Sequence, residues 1–386
     1  MTSPQLMLHI AQAHKALLRT QNNHYSDKSK QAYQENLVRL FYAIEKDVVD
    51  NPPTSEDEVY ELKSYIDFIF KNIEFLDSST LNLIPYEIVA CLKSTLSEWI
   101  NDPTFIITTS LINDTGGFSF DPSLITFYKR LYFVFHFKYN IQFSHKLIQI
   151  NIPKAFSRDY LVSVVHYHEL GHFVDTQNKI TEALSKELYN DFVGGKYDDD
   201  DEFNKNMNVY FEFLREKYYS DENKIEILRN HLAEYFCDLF ASQYVGQHLS
   251  DYIIYITEGQ NYYVDSHPSS TNRKKVAADF LNKQPNLVVT LVNQALQNIF
   301  GKQLEIRYEA IPTDDFYQLL PFEIANDKQL HGLISTGWQI WNDGHKAFEQ
   351  KAGMQDLSQV KFYSIINNLI EKAIGNYIIS QTWTQI

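Results

Sequence analysis

The segment that most constrains this chain is His168-Glu169-Leu170-Gly171-His172, which places two histidines four residues apart. In an α-helix, residues four apart lie on the same face, one turn from each other, so both imidazole rings can bind a single metal ion. Glu169 stands beside them, where its carboxylate can take a proton from a water molecule on that ion. The chain must therefore fold so that this segment is helical and faces the interior.

The residues before this segment predict the helix that it needs. Ser157 is placed to cap the helix, and Asp159 lies in its first turn, where a negative charge is favourable. His166 lies off the metal-facing side, and we expect it to be a packing or surface residue. One inward stripe then carries four residues at spacings of four, three and four: Leu161, Val165, His168 and His172.

A second helical segment, Asn230 to Ala241, contains the ligand that two histidines leave missing. Catalytic zinc usually has three protein ligands and one water molecule. Glu234 and Asp238 lie one turn apart in this otherwise apolar segment, where an unpaired carboxylate would be unfavourable. We therefore predict that Glu234 binds the metal and that Asp238 accepts a hydrogen bond from the outer ring nitrogen of a ligating histidine.

Two other residues of the same segment are alternative ligands. His231 and Cys237 each lie three residues from Glu234, so a helix would bring both towards the same ion. A free cysteine is more commonly a small buried apolar residue. The lone histidine is most simply a surface or helix-packing residue. Glu234 is therefore the predicted ligand, with His231 and Cys237 as the alternatives.

A third motif runs from Asp265 to Arg273. Because His267 precedes a proline, helical backbone is disfavoured there, which indicates a loop or the start of a helix beginning near Asn272. A positively polarised His267 or Arg273 close to the metal could stabilise the oxyanion of a tetrahedral intermediate. Alone, this stretch would be an ordinary turn. Its position after the other two motifs favours a functional role.

Together, the three motifs resemble the gluzincin metallopeptidases, and most closely their HtpX-like and CAAX-prenyl-protease-type branch. The resemblance covers roughly residues 140 to 285. It implies a zincin-like fold and one catalytic Zn²⁺. It further implies that Glu169 is the general base, that His267 stabilises the transition state, and that Asp238 and Arg273 organise the site. The implied zinc ligands are His168, His172 and Glu234.

The chain departs from that branch in two respects. Many of its members are integral membrane proteins, whereas no run of residues here approaches the length of a membrane helix. The first and last 100 residues match no known pattern. We predict three regions: a helical N-terminal region (1–100), a zincin-like catalytic domain (101–300), and a mainly helical region that packs on the core (301–386).

The hydrophobic pattern predicts an α+β chain that is mostly helical. Residues 124–137 fit either a strand or a buried helix. A helix is expected from Arg273 to about Phe300. Further helices are predicted at 5–18, 28–49, 56–75 and 359–380, and strands at 105–111, 146–152 and 304–311.

The strand at 146–152 alternates apolar and polar residues and ends at Pro153. This pattern is typical of a half-buried strand. In zincins, an edge strand above the metal pairs with an extended substrate through main-chain hydrogen bonds. The same pattern equally fits an ordinary sheet strand.

The composition of the chain indicates which binding partners are disfavoured and which cellular compartment is expected. A formal net charge of −15 disfavours binding to nucleic acid and to anionic membranes. The chain has two cysteines, Cys91 and Cys237, far apart in sequence, which is no disulfide framework and suits a reducing compartment. We see no signal-peptide pattern at the first residues and expect a cytoplasmic protein.

Two further features are interpreted as structural. The acidic run at 198–202 could bind calcium or attract basic peptides, but such runs are more commonly solvated loops. Trp338 and Trp341 are expected to be packing residues.

These patterns together predict a zinc metalloendopeptidase acting on a peptide or protein substrate. One alternative is a zinc-binding scaffold without activity, although a purely structural site has no use for Glu169 and usually closes its fourth position with a protein ligand. Another is a regulatory protease with a single dedicated target.

Overall fold

The computed structural model describes residues 4–25, 27–77, 79–80, 85–113, 117–123, 127–194, 202–256 and 261–384. These residues form a mostly helical α+β structure with one three-stranded sheet. The chain divides into two compact units: the first comprises 1–89 and 97–158, and the second comprises 90–96 and 159–386. Among the described residues, no helix combines the length and the apolar character needed to span a membrane.

The first unit contains the sheet and most of the N-terminal helices. Its elements are α1 (Pro4–Thr20), α2 (Lys28–Asp50), α3 (Glu56–Asp77), α4 (Tyr86–Trp99, of which 90–96 belong to the second unit), β1 (Phe105–Ile112), β2 (Ser119–Asp121), α5 (Lys129–Tyr139) and β3 (Lys146–Pro153), followed by a 3₁₀ turn (Lys154–Phe156). The predicted N-terminal helices and the strand at 105–111 are confirmed.

Local sequence signals account for the ends of these helices. The Asp27 carboxylate accepts a hydrogen bond from the Ser29 amide at the start of α2. At the start of α3, the Glu58 amide donates to the Ser55 hydroxyl while the Ser55 amide donates back to Glu58, which is a capping box. The apolar faces of α1, α2 and α3 then pack into one buried core with Ile106 and Leu147 of the sheet.

The sheet has the order β1-β3-β2, so the strand predicted at 146–152 is central. It pairs in parallel with β1 and antiparallel with β2. Of the two interpretations of this strand, the ordinary sheet strand is supported and the edge strand is wrong, because β1 pairs along the whole of β3 and β2 pairs with residues 149–151 on its other side. Its polar side is also less exposed than expected, since Gln149 is buried and its side-chain oxygen accepts a hydrogen bond from Thr108.

The region left undecided at 124–137 forms helix α5 from Lys129, while 124–126 lie outside the described residues. Phe135 on this helix is fully buried, and Phe133 and Phe137 are exposed. A short aromatic sequence is compatible with either a strand or a helix, so its secondary structure depends on the length of the segment and on the residues that pack against it.

The second unit is helical. Its helices are α6 (Val164–Asn178), α7 (Ile180–Val193), α8 (Glu202–Tyr210), α9 (Asp221–Val245), α10 (His248–Ile256), α11 (Ser270–Leu281), α12 (Leu287–Phe300), α13 (Asp314–Tyr317), α14 (Asp327–Asp343), α15 (His345–Lys351) and α16 (Gln359–Thr384), with a 3₁₀ turn at Glu212–Arg215. The C-terminal helix predicted at 359–380 is confirmed. Of the acidic run at 198–202, residues 198–201 lie outside the described residues.

Two predictions in this unit are wrong. The single helix expected to reach Phe300 is broken between α11 and α12, where the Asn286 side chain accepts hydrogen bonds from Val288 and Val289 and starts a new helix. Residues 304–311 have no regular secondary structure, so the predicted strand does not form. Their amides donate to helical partners: Arg307 to the carbonyl of Gln243, and Glu309 to that of Lys328.

The unit boundary at 158/159 lies inside the predicted catalytic region, 101–300. The predicted metal-binding helices share their unit with the C-terminal region, and the sheet belongs to the other unit.

The two tryptophans pack as expected. The indole nitrogen of Trp338 donates to the carbonyl of Leu161 over 2.8 Å, and Trp341 stacks on Phe362.

The contact between the irregular segment 302–312 and α14 leads to a prediction about stability. A Cβ atom on Gly332 of α14 would lie 1.8 Å from the carbonyl oxygen of Glu309, so only glycine permits this contact. We expect Gly332→Ala to lower the free energy of unfolding by about 1–3 kcal/mol in urea titrations, because the segment must move away from α14. Gln339→Ala, at an exposed position on the same helix, should change it by no more than about 0.5 kcal/mol. Equal stability of the two variants would contradict this.

Candidate metal centre

Helix α6 begins at Val164 and not at Ser157. The Asp159 carboxylate accepts hydrogen bonds from the amides of Leu161 and Val162, which fixes a turn ahead of the helix. The amide of Tyr160 donates to the side-chain oxygen of Asn367 in α16 over 2.7 Å. Ser157 lies at the end of the 3₁₀ turn, so its predicted role as a helix cap is wrong. The C-terminal helix thus helps to fix where the histidine helix starts.

Helices α6 and α9 pack very closely at Gly171. A Cβ atom built on Gly171 would lie 3.0 Å from the Cα of Cys237 and 3.1 Å from its sulfur. Contacts of 3.0–3.4 Å are tighter than nine in ten real Cβ contacts, so the absence of a side chain at 171 lets the two helices approach this closely.

The close packing brings the three predicted ligands together. The Nε2 atom of His168 lies 3.4 Å from one carboxylate oxygen of Glu234, and Nε2 of His172 lies 3.4 Å from the other. The side chains of His168 and Glu234 are buried, and that of His172 is 24% exposed. Three potential donor groups from two helices, about 60 positions apart in sequence, therefore converge beside a partly open position.

Asp238 and Arg273 lie behind these groups. One carboxylate oxygen of Asp238 lies 3.0 Å from the outer ring nitrogen, Nδ1, of His168. The Arg273 guanidinium donates two hydrogen bonds of 2.7 Å to Asp238, and one of its nitrogens lies 3.1 Å from Glu234. Both side chains are buried. A fork of this kind fixes both carboxylates in position.

The charges of this cluster act on one another strongly. Burial alone would raise the pKa of Glu234, but the Arg273 charge and the two histidines hold it well below its usual value. Burial would likewise raise the pKa of Asp238, and Arg273 again lowers it. Burial would lower the pKa of His168, yet Asp238 and Glu234 raise it to about 10. The cluster thus contains ionised carboxylates that attract positive charge towards the two imidazole rings.

Glu169 and His267 occupy different surroundings. Glu169 is buried on α6, next to the first histidine in sequence. His267 lies on the loop before α11, half exposed, with Nε2 3.5 Å from a carboxylate oxygen of Glu234. Its backbone pairs with that of Val264 through two hydrogen bonds of 2.9 and 3.0 Å. Both predicted catalytic residues are therefore in the second unit, and His267 contacts the ligand cluster.

The two alternative ligands differ in position. His231 is directed away from the cluster, because its Nε2 atom lies 2.8 Å from the carbonyl oxygen of Val264 and its ring packs on Phe213. Its possible role as a ligand is not supported by this geometry. Cys237 is nearer: single donor atoms of His168, His172 and Cys237 all lie within 4.8 Å of one another. Burial and the surrounding carboxylates raise the pKa of its thiol well above the usual value.

Sequence reasoning missed two supporting contacts. His231 is bound to the same loop that carries His267, and Asp175 accepts hydrogen bonds from the amide and hydroxyl of Thr181 at the turn between α6 and α7. The contact of His231 could not be recognised in the sequence, because it depends on how a distant loop folds back.

His166 is fully buried, in agreement with a packing role.

Comparison with known proteins identifies no relative: no protein-family model, curated protein or solved structure matches this chain. A functional conclusion therefore depends on the geometry of the cluster and on the sequence motifs.

Proposed function

We propose that this chain is a zinc-dependent metallopeptidase of the gluzincin type. The observation that carries the proposal is the pair of 3.4 Å separations between the Glu234 oxygens and the ring nitrogens of His168 and His172. Ligands about 2.0–2.1 Å from a tetrahedral zinc ion lie roughly 3.3–3.4 Å from one another. In each pair, the ring nitrogen and the Glu234 oxygen thus already have the spacing of two ligands of one such ion.

The charge of the cluster also fits a dication. Two buried ionised carboxylates, Glu234 and Asp238, share a single guanidinium, Arg273, and their remaining negative charge raises the pKa of His168, so a cation bound at the imidazoles would take the place of that proton. Buried charge of one sign is unfavourable unless a counter-charge compensates it. Two imidazole nitrogens and one carboxylate are a donor set typical of catalytic zinc, and they leave one position for water or substrate.

The residues of this chain have separable roles in such a reaction. A bound zinc ion would lower the pKa of a water molecule and polarise the substrate carbonyl. Glu169 would take the proton from the attacking water and deliver it to the leaving amine. His267, half exposed beside Glu234, would donate a hydrogen bond to the oxygen that gains negative charge. Asp238 would hold the His168 ring in orientation through Nδ1.

The choice of a peptide bond as substrate rests on the motifs. Their order and spacing resemble gluzincins, whose helices carry an HExxH pair and a downstream glutamate, and we propose that α6 and α9 are the corresponding helices of a zincin-like core. The site residues alone do not select a peptide bond, because two histidines, a base and an oxyanion donor could promote the hydrolysis of any planar carbonyl compound. We also propose a cytoplasmic protein, since Cys91 and Cys237 are buried and form no disulfide.

A second candidate is a closed zinc site without activity, in which Cys237 takes a ligand position. The proximity of Cys237 to both histidines favours it. Two observations favour the open site. Glu234 presents one oxygen to each histidine, and it is already ionised, whereas the thiol of Cys237 would have to lose a proton among several carboxylates.

The ligand assignment predicts metal content. Glu234→Ala should reduce bound zinc from about one ion per chain to a small fraction, measured by elemental analysis after dialysis against a weak chelator. Cys237→Ala should retain the ion, because its sulfur is not a ligand in the proposed set. The reverse result, with zinc lost only from Cys237→Ala, would support the closed site instead.

The role of Glu169 predicts a separation of binding from turnover. Glu169→Gln keeps the shape of the side chain and removes the base, so we expect zinc to remain bound while cleavage of a peptide library falls by roughly 10³-fold or more. Glu222→Gln, an exposed glutamate at the start of α9, serves as the control and should cleave like the wild type. Undiminished cleavage by Glu169→Gln would remove this residue from the mechanism.

A further inference from the structure

A pocket of about 840 Å³ opens beside the loop that carries His267. We call it the tyrosine pocket. Its wall is formed by the N-terminal half of α9, by the residues just before that helix, and by the loop itself. The residues that matter for its chemistry are Tyr218, Tyr219, Glu226, Tyr263 and Asp265.

Two segments of the tyrosine pocket wall lead to the candidate metal centre. Asn230 and Ile227 of its wall lie four and seven residues before Glu234 on one face of α9, which places them about 6 and 10 Å from Glu234 along the helix axis. Ser266 of its wall directly precedes His267, whose ring reaches Glu234. An extended peptide advances about 3.3 Å per residue, so the pocket lies within a few residues of a bond held at the centre.

Aromatic rings form one side of this pocket. The rings of Tyr218 and Tyr219 are 4.3 Å apart, and Tyr263 packs against Phe213 on the other side of the wall. The Tyr219 hydroxyl donates a hydrogen bond of 2.6 Å to Asp265, which keeps that carboxylate at the rim. Tyr218 is 69% exposed, so its ring is available to a ligand. The faces of aromatic rings attract cations.

The charged groups of the pocket wall are both acidic. Glu226 and Asp265 are the ionisable carboxylates, and no lysine or arginine belongs to the described lining. Arg229, one turn further along α9, lies 3.9 Å from Glu226, too far for a close hydrogen-bonded pair. Both carboxylates therefore retain positions that can accept hydrogen bonds. The net charge of −15 adds a long-range attraction for cations.

We propose that the tyrosine pocket binds a lysine or arginine side chain of the substrate, so that peptides with a basic residue near the cleaved bond are selected. The aliphatic part of such a side chain would lie along the tyrosine rings, and its charged end would reach Glu226 and Asp265. This inference rests on the proposed peptidase function, because it assigns the pocket to the same bound peptide.

The test measures binding separately from cleavage. Two pools of fluorescein-labelled nonapeptides are prepared, identical except that the central residue is lysine in one and norleucine in the other, with Ala, Ser, Gly and Leu randomised elsewhere. Their affinities are measured by fluorescence anisotropy with full-length, zinc-loaded Glu169→Gln, which should bind peptides without consuming them. We expect the lysine pool to bind roughly five- to tenfold more tightly.

Variants of the pocket locate that preference. Glu226→Gln combined with Asp265→Asn, in the same background, should reduce the preference to less than twofold, and Tyr218→Leu should reduce it by about threefold. The matched control combines Glu222→Gln with Glu35→Gln, two exposed glutamates outside the pocket, which changes the net charge equally and should leave the preference intact. Equal binding of both pools, binding of neither, or a preference that survives the pocket variants would overturn the proposal.

Cleavage of the same pools by the wild type separates this inference from the proposed function. Faster cleavage of the lysine pool supports both. Cleavage of the two pools at equal rates would overturn the assignment of the pocket while leaving the peptidase intact. Cleavage of neither pool, together with a lysine preference in binding, would contradict the peptidase function and still support the pocket as a site for basic side chains.

Discussion

The packing of α6 against α9 at Gly171 and Cys237 determines how far the two histidines lie from Glu234. A side chain at position 171 would require Cys237 to shift by a few tenths of an ångström, which would disturb the 3.4 Å separations. Arg273 complements this contact by neutralising part of the buried charge of Asp238 and Glu234. Without it, two adjacent carboxylates would repel each other in a poorly hydrated site.

Much of the cluster was predictable because helical spacing converts sequence directly into geometry. Residues four apart share a face, so the pair His168 and His172, and the pair Glu234 and Asp238, followed from the sequence alone. The buried acids of an apolar helix also implied a cation, which Arg273 provides in part. The mostly helical α+β class, the N-terminal helices and the strand at 105–111 followed from hydrophobic periodicity.

The features that could not be predicted depend on contacts between distant segments. β2 is only three residues long, so its pairing with β3 left no periodic signal, and a central strand resembled an edge strand. The segment 304–311 has the composition of a strand, but the amides of Arg307 and Glu309 donate to helix carbonyls that lie far away in sequence or follow later in the chain. Helix α6 starts late because a turn around Asp159, supported by α16, competes with helical backbone. The contact of His231 with Val264 likewise arises only after the loop has folded back onto α9.

The central claim, that one zinc ion is held by His168, His172 and Glu234, is tested most directly by X-ray absorption spectroscopy at the zinc edge on the purified wild-type protein. The account predicts nitrogen and oxygen neighbours only, at about 2.0–2.1 Å, with the multiple-scattering pattern of two imidazole rings. A sulfur neighbour at about 2.3 Å would assign Cys237 to the ion and contradict the open site. A protein that binds no zinc would contradict the account altogether.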